Sequence, residues 1–192
     1  MNIWLMNADG SEVRQLTSGK LESDPCFSPD GKWVVYTSMG GDSPEPVLWK
    51  IPREGGRPVK LTAALSAHPS VSPDGKLIAF FLQHTPQAPL RLAVMPFDGG
   101  EPIKIFDAYS SLDPLQQPIV RWAPDGLALA YIETREGVSN VWKRRLDGGP
   151  PEQLTDFETD QIYWFDWSRD GMQLVLSRGS ETGDLVLVRN KV

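Results

Sequence analysis

A four-residue phrase recurs along the chain: Ser28-Pro29-Asp30-Gly31, Ser72-Pro73-Asp74-Gly75, Ala123-Pro124-Asp125-Gly126 and Ser168-Arg169-Asp170-Gly171. Successive copies of its aspartate lie 44, 51 and 45 residues apart. A near-constant period of that size means one supersecondary unit repeated, and it constrains the fold before any single residue is weighed. Each phrase follows a short apolar segment, such as Pro25-Cys26-Phe27 or Phe165-Asp166-Trp167. Each precedes a nearly continuous apolar run: Trp33 to Tyr36, Leu77 to Phe80, Leu127 to Tyr131 and Leu174 to Leu176. Short apolar runs rich in β formers and bounded by turn residues predict strands buried on both faces. The phrase between them is a hairpin turn. Proline presets φ, Asp30, Asp74, Asp125 and Asp170 suit the third place, and Gly31, Gly75, Gly126 and Gly171 accept positive φ. The fourth copy has Arg169 for proline but keeps the Asp-Gly pair.

A second hairpin recurs with the same spacing. Ile3 to Met6, Leu48 to Ile51, Leu92 to Met95 and Val141 to Arg144 each lead into an acidic-Gly pair: Asp9-Gly10, Glu54-Gly55, Asp98-Gly99 and Asp147-Gly148. Such pairs close tight hairpins. Seven residues after each acidic residue stands Leu16-Thr17, Leu61-Thr62, Ile105-Phe106 or Leu154-Thr155. The unit is therefore four consecutive antiparallel strands, a to d, which is the make-up of a β-propeller blade. The expected fold is all-β, about four blade-equivalents in one domain over residues 1–192. Residues 1–20 supply strands c and d of a partial blade, and 21–64, 65–107 and 108–157 are complete blades. Residues 158–192 supply a, b and a c-like strand, Leu185 to Arg189. The stretch Ala108 to Pro118 reads as a longer loop.

The phrase Phe27 to Lys32, the strand-c Trp49, Gly55-Gly56 and Leu61-Thr62 resemble the repeats of WD-repeat-like propellers of the TolB type. The resemblance covers essentially the whole chain, with Ala93 and Ile105-Phe106 as departures. The tail, Trp167 to Asn190, further resembles the ends of propellers attached to bacterial membrane-anchored Ser/Thr kinases and winged-helix regulators. It implies an extracytoplasmic sensor or interaction module, hence a periplasmic setting. The chain itself leaves its location open.

Partial blades at both ends, with Met1 directly at a strand start, make part of a larger propeller the expected setting; a four-blade arc that dimerises is the competing reading. Exposed Ile3, Leu5, Leu174 and Leu176 are expected at the two open ends, inviting self-association. No run of about 18 apolar residues occurs, which excludes a helical membrane span, and no membrane contact or export leader is expected from this segment. The single Cys26 forbids an internal disulfide.

A net charge of −6 argues against nucleic acid as the main partner. The b–c and d–a loops would carry an acidic set on one face: Glu22, Asp24, Asp42, Glu45, Asp107, Asp113, Glu136, Asp156, Glu158, Asp160, Glu181 and Asp184. Only Lys20, Arg135 and Arg178 oppose them, so the face would attract divalent ions or a cationic protein or peptide ligand. The sequence holds no catalytic constellation. His68 and His84 have no metal-ligand neighbours in sequence, no Gly-x-Ser-x-Gly elbow occurs, and the Asp-Gly turns lack the alternating carboxylates of a calcium loop. No enzyme activity, metal or cofactor is therefore expected of this segment. Aligned on the repeated phrase, the first residues of strand a are Asp24, His68, Ile119 and Trp164, with Cys26, Ser70, Arg121 and Asp166 two residues on. This column differs from blade to blade within a recurring frame. Asp24, His68, Arg121, Trp164 and Asp166 are accordingly the candidate binding residues at the channel mouth. The expected function is a non-enzymatic binding or sensor module; the alternative is the gating propeller of a larger prolyl-oligopeptidase-like hydrolase.

Overall fold

The computed structural model describes residues 1–40, 43–85, 87–108 and 119–180. Its described residues form sixteen strands and no helix. A two-stranded sheet, β1 (Trp4–Leu5) and β2 (Arg14–Gln15), precedes three four-stranded antiparallel sheets. The first blade is β3 (Leu21–Phe27), β4 (Trp33–Gly40), β5 (Ser43–Pro52) and β6 (Val59–Lys60). The second is β7 (Leu65–Val71), β8 (Leu77–Gln83), β9 (Arg91–Pro96) and β10 (Lys104–Ala108). The third is β11 (Val120–Trp122), β12 (Ala128–Arg135), β13 (Val138–Arg145) and β14 (Glu152–Gln153). A last pair, β15 (Gln161–Trp167) and β16 (Leu174–Gly179), closes the described chain. Each sheet pairs strands consecutive in sequence, the up-and-down order of a propeller blade. The expected c-like strand at Leu185 to Arg189 lies outside the described residues. So does the loop after Ala108, whose first residue instead ends β10.

The continuous apolar runs are explained by what lies on either side of strand b. Val34 and Tyr36 pack back onto Ile3 and Leu16, whereas Val35 packs forward with Ile78 and Phe80 of the next blade. In β8, Ile78, Phe80 and Leu82 face back, and Ala79 and Phe81 face forward onto Val120, Trp122, Leu129 and Tyr131. Ala130 and Ile132 then meet Ile162 and Phe165. Alternation places successive side chains on opposite faces, and both faces are blade interfaces, so no polar position is left in the run.

The repeated phrase is a turn held from three sides. Ser28 Oγ donates to Asp30 Oδ1 at 2.6 Å, and the backbone N–H of Lys32 donates to the same oxygen at 3.1 Å. The Trp33 N–H reaches Ser28 Oγ at 3.0 Å. Ser72 and Asp74, and Ser168 and Asp170, repeat the arrangement. The glycines have φ of +66° to +72°, as the turn requires. Three of them also sit against the preceding blade. A Cβ added at Gly75 would lie 3.6 Å from Pro29, at Gly126 3.7 Å from Pro73, and at Gly171 2.8 Å from Pro124. The proline therefore serves its own turn and seats the glycine of the next.

These turns carry a pH signature. The serine hydroxyls, then the turn N–H groups, hold the Asp30, Asp74 and Asp170 carboxyls below their ordinary range. A depressed folded-state pKa contributes stability above the unfolded pKa, and that contribution is lost as pH falls through the folded value. We expect the thermal midpoint to drop as pH is lowered below about 4. Ser72→Ala should make that acid limb shallower, and an unchanged limb would contradict the turn chemistry.

The Leu-Thr pair has an equally local explanation. Thr17, Thr62 and Thr155 each accept, through Oγ1, an N–H of strand c at 2.9 Å: those of Ile3, Leu48 and Val141. The hydroxyl takes the place of further main-chain pairing, and β2, β6 and β14 are only two residues long. Where Phe106 replaces threonine, β10 instead keeps pairing to Arg91 across a bulge.

The expectation of apolar exposure at the ends is corrected residue by residue. Ile3 is buried with Leu16, Val34 and Tyr36, and Leu5 packs against that cluster. Leu174 and Leu176 pack toward the third blade. The outward residues are those of opposite parity: Trp4 at 59% exposed, Met6 at 67% and Val175 at 59%.

Candidate functional site

Strand a of each blade lies beside its counterparts, and a cleft of about 370 Å³ opens between them. Asp24, Cys26 and Phe27 of β3 line it with His68 and Ser70 of β7, Ile119 and Arg121 at β11, and Trp164 of β15. Four of the five candidate residues are thus brought together. Asp166 does not line the cleft; its Oδ1 lies 3.8 Å from Arg121 Nε.

Asp24 and His68 are not the first residues of strand a, as the repeat alignment predicts. β3 and β7 begin three residues earlier, at Leu21 and Leu65. Both residues sit mid-strand at β-bulges, between Ser23 and Cys26 and between Ala67 and Ser70. Their φ angles are +52° and +54°, a strained region for non-glycine residues. A proline follows each, Pro25 and Pro69. Proline inside a strand is confined to edges, strand starts and bulges, so this pair was the sequence signal for the distortion.

The bulges turn the two side chains toward each other. His68 Nδ1 lies 3.2 Å from Asp24 Oδ1 across the blade boundary. Burial by itself would raise the Asp24 carboxyl. The hydrogen bond and charge of His68, with the Ser23 and Thr37 hydroxyls, outweigh it and hold the group below the usual carboxylate range. Thr37, a residue the repeat alignment passes over, also accepts the His68 N–H at 3.2 Å. The imidazole meets the Phe81 ring edge-on, centroids 6.5 Å apart. Trp122 Nε1 donates to Ser70 O at 2.8 Å and ties the second blade to the third. Cys26 is a packed thiol, which burial pushes up to about 12.

The other side of the cleft is open. Trp164 is 42% exposed and Phe27 52%. Arg121 donates from Nη1 to Val120 O at 3.1 Å, and its guanidinium carbon stands 5.9 Å from the Trp164 ring. His84 lies elsewhere, on a second hollow of about 500 Å³ with Leu61, Phe80 and Glu101 between the first two blades.

The predicted acidic face is thinner than the sequence suggests. Glu22 is buried and accepts from Thr17 Oγ1 and Asn2 Nδ2. Asp24 belongs to the cleft, and Asp160 pairs with Arg178 at 3.3 Å. Glu45, Glu136, Asp156 and Glu158 are exposed as expected. Asp42, Asp113, Glu181 and Asp184 lie outside the described residues.

Blades of four antiparallel strands around convergent first strands define a β-propeller. The fold is that of TolB-type propellers. TolB from Acinetobacter baumannii superposes with a TM-score of 0.74 at 22% identity, over 91% of this chain and 42% of that one. A TolB-designated structure from Agrobacterium tumefaciens gives 0.70 at 24% identity, over 89% and 59%. The propeller domain of the Trilobed protease from Pyrococcus furiosus gives 0.56 at 15%, over 94% and 62%. Among curated proteins, the Tricorn protease homolog 1 of Streptomyces coelicolor is 34% identical over 64 residues, 33% of this chain and 6% of that protein. No family model matches the chain. The chain therefore spans about half the length of the TolB structures and a small part of the curated relative. These likenesses carry the propeller fold and not the kinase-sensor setting.

Proposed function

We propose that the chain is a non-enzymatic binding module that receives a segment of a protein or peptide in the cleft between its first strands. The observation that supports this reading is the exposed pair Phe27 and Trp164 at the convergence of four blades. Large aromatic rings left open beside polar groups are the anchors of recognition sites. Strained backbone at Asp24 and His68, held by hydrogen bonds across the blade boundary, fits a preformed site rather than a passive channel wall. The same proposal places the module on the extracytoplasmic side, as the sequence resemblance implies.

A soluble pool of random nonapeptides passed over the immobilised chain tests the reading. Retained peptides should bind Trp164→Ala at least about tenfold more weakly, the scale of an aromatic anchor. Full retention by Trp164→Ala would exclude the cleft as the site.

A second reading rests on the Streptomyces and Pyrococcus likenesses, both to proteases. In it the module is the accessory propeller of a larger hydrolase. An α/β-hydrolase domain in the same open reading frame would favour it, and a kinase or winged-helix domain followed by a membrane span would favour the sensor.

A further inference from the structure

The polar groups of the cleft are not equally engaged. Asp24 is paired with His68 and with the hydroxyls of Ser23 and Thr37. Arg121 is not so engaged. Of its five N–H groups one is used on Val120 O, and Nε faces Asp166 at 3.8 Å, beyond hydrogen-bond reach. Nη2 has no partner among the described residues, and 31% of the side chain remains exposed at the cleft wall. Its guanidinium lies within cation–π range of Trp164, whose ring limits where it can swing.

From this we infer that the cleft reads a carboxylate, bound end-on by Arg121, with the rest of the ligand lying on Trp164, Phe27 and Ile119. The inference rests on the cleft being the ligand site. A guanidinium fork matches the two oxygens of a carboxylate or the oxygens of a phosphate. Charge decides between them. Among the described residues lining the cleft Arg121 is the one arginine or lysine, and it already faces Asp166 at 3.8 Å. A carboxylate therefore brings a single negative charge to it, whereas a phosphate dianion brings a second that no further arginine or lysine there answers. The apolar walls suit a carboxylate carried by a chain, either a peptide C-terminus or an acidic side chain beside apolar neighbours.

Three matched nonapeptide pools on the full chain test this. One lacks Asp and Glu but ends in a free carboxylate, one lacks them and ends in an amide, and one ends in an amide but contains Asp and Glu. We expect the first or third to be retained at least about tenfold better than the second, as for a charge-assisted hydrogen bond pair; which one wins identifies the source of the carboxylate. Arg121→Gln should reduce the better pool to the level of the amide pool, and Arg121→Lys should restore part of the difference. Equal retention of all three pools by the unmodified chain would overturn carboxylate recognition and leave peptide binding at the cleft standing. Retention of none would overturn both. The comparison among pools needs no variant, so a folding defect in Arg121→Gln could not obscure it.

Discussion

Replacing Gly75 with valine should lower stability by about 2–3 kcal/mol, the upper part of the range for a strained backbone position. Gly75 has φ of +72°, and a β-branched residue resists that region most. A Cβ added there would stand 3.6 Å from Pro29, so alanine would meet only ordinary contact while the extra methyls of valine would not. Gly171 separates the two causes. Its φ, +71°, is nearly the same, but a Cβ there would stand 2.8 Å from Pro124 Cγ. Gly171→Ala should therefore cost more than Gly75→Ala by about 1 kcal/mol or more, the scale of overpacking. Adding Pro124→Ala should recover that excess, whereas Pro29→Ala should recover nothing in Gly75→Ala. Denaturant melts of the two double-mutant cycles give the coupling directly. Equal costs for the two alanine variants would show that the turns do not interlock between blades.

The second large effect is expected at Lys50. This strand-c lysine is 5% exposed, and its ammonium crosses the boundary between the first two blades. Nζ donates to Asp98 Oδ1 at 2.7 Å and to Phe97 O at 3.2 Å. It stands 4.4 Å from the centroid of Phe97 and 5.0 Å from that of Trp33. Lys50→Ala should cost about 2–4 kcal/mol by removing a buried stem and the cation between two rings. Lys50→Met should cost much less, since an apolar side chain of similar length fills the space without a charge to solvate. Asp98 is 93% exposed, so Asp98→Asn should be the mildest of the three, water screening its part of the pair. Chemical denaturation checks the ranking. An Asp98→Asn variant as unstable as Lys50→Ala would mean that the ion pair, rather than the buried stem and rings, holds this boundary.

Both effects lie where one repeat touches the next, and that is where sequence reading and structure part company. Within a blade the reading was nearly complete. The turns at Asp30-Gly31, Asp74-Gly75, Asp125-Gly126 and Asp170-Gly171 form as their chemistry demands, and the four-strand order follows from hairpins between neighbours in sequence. The apolar runs of strand b were legible because a strand with two buried faces has no alternation to hide. The same property concealed which residues face which neighbour. Ile3 and Leu5 differ from Trp4 and Met6 only in parity, and an apolar run does not record parity.

The candidate site shows the same division. Aligning the repeats brought Asp24, His68 and Trp164 into one column and Arg121 into the column two residues on. The two columns meet in one cleft because equivalent positions of a repeat converge around a common axis. What those side chains do was decided by contacts between residues far apart in the chain. The Asp24–His68 pair needs two bulges in adjacent blades, and Glu22 looks like a surface acid until Thr17 and Asn2 fold over it. Local sequence chemistry determined the turns, the strands and their order, since hairpin energetics involve neighbours within a few residues. Only the tertiary structure determined the partner of each charge, since burial and hydrogen bonding across a blade boundary depend on the angle and register at which two finished sheets meet.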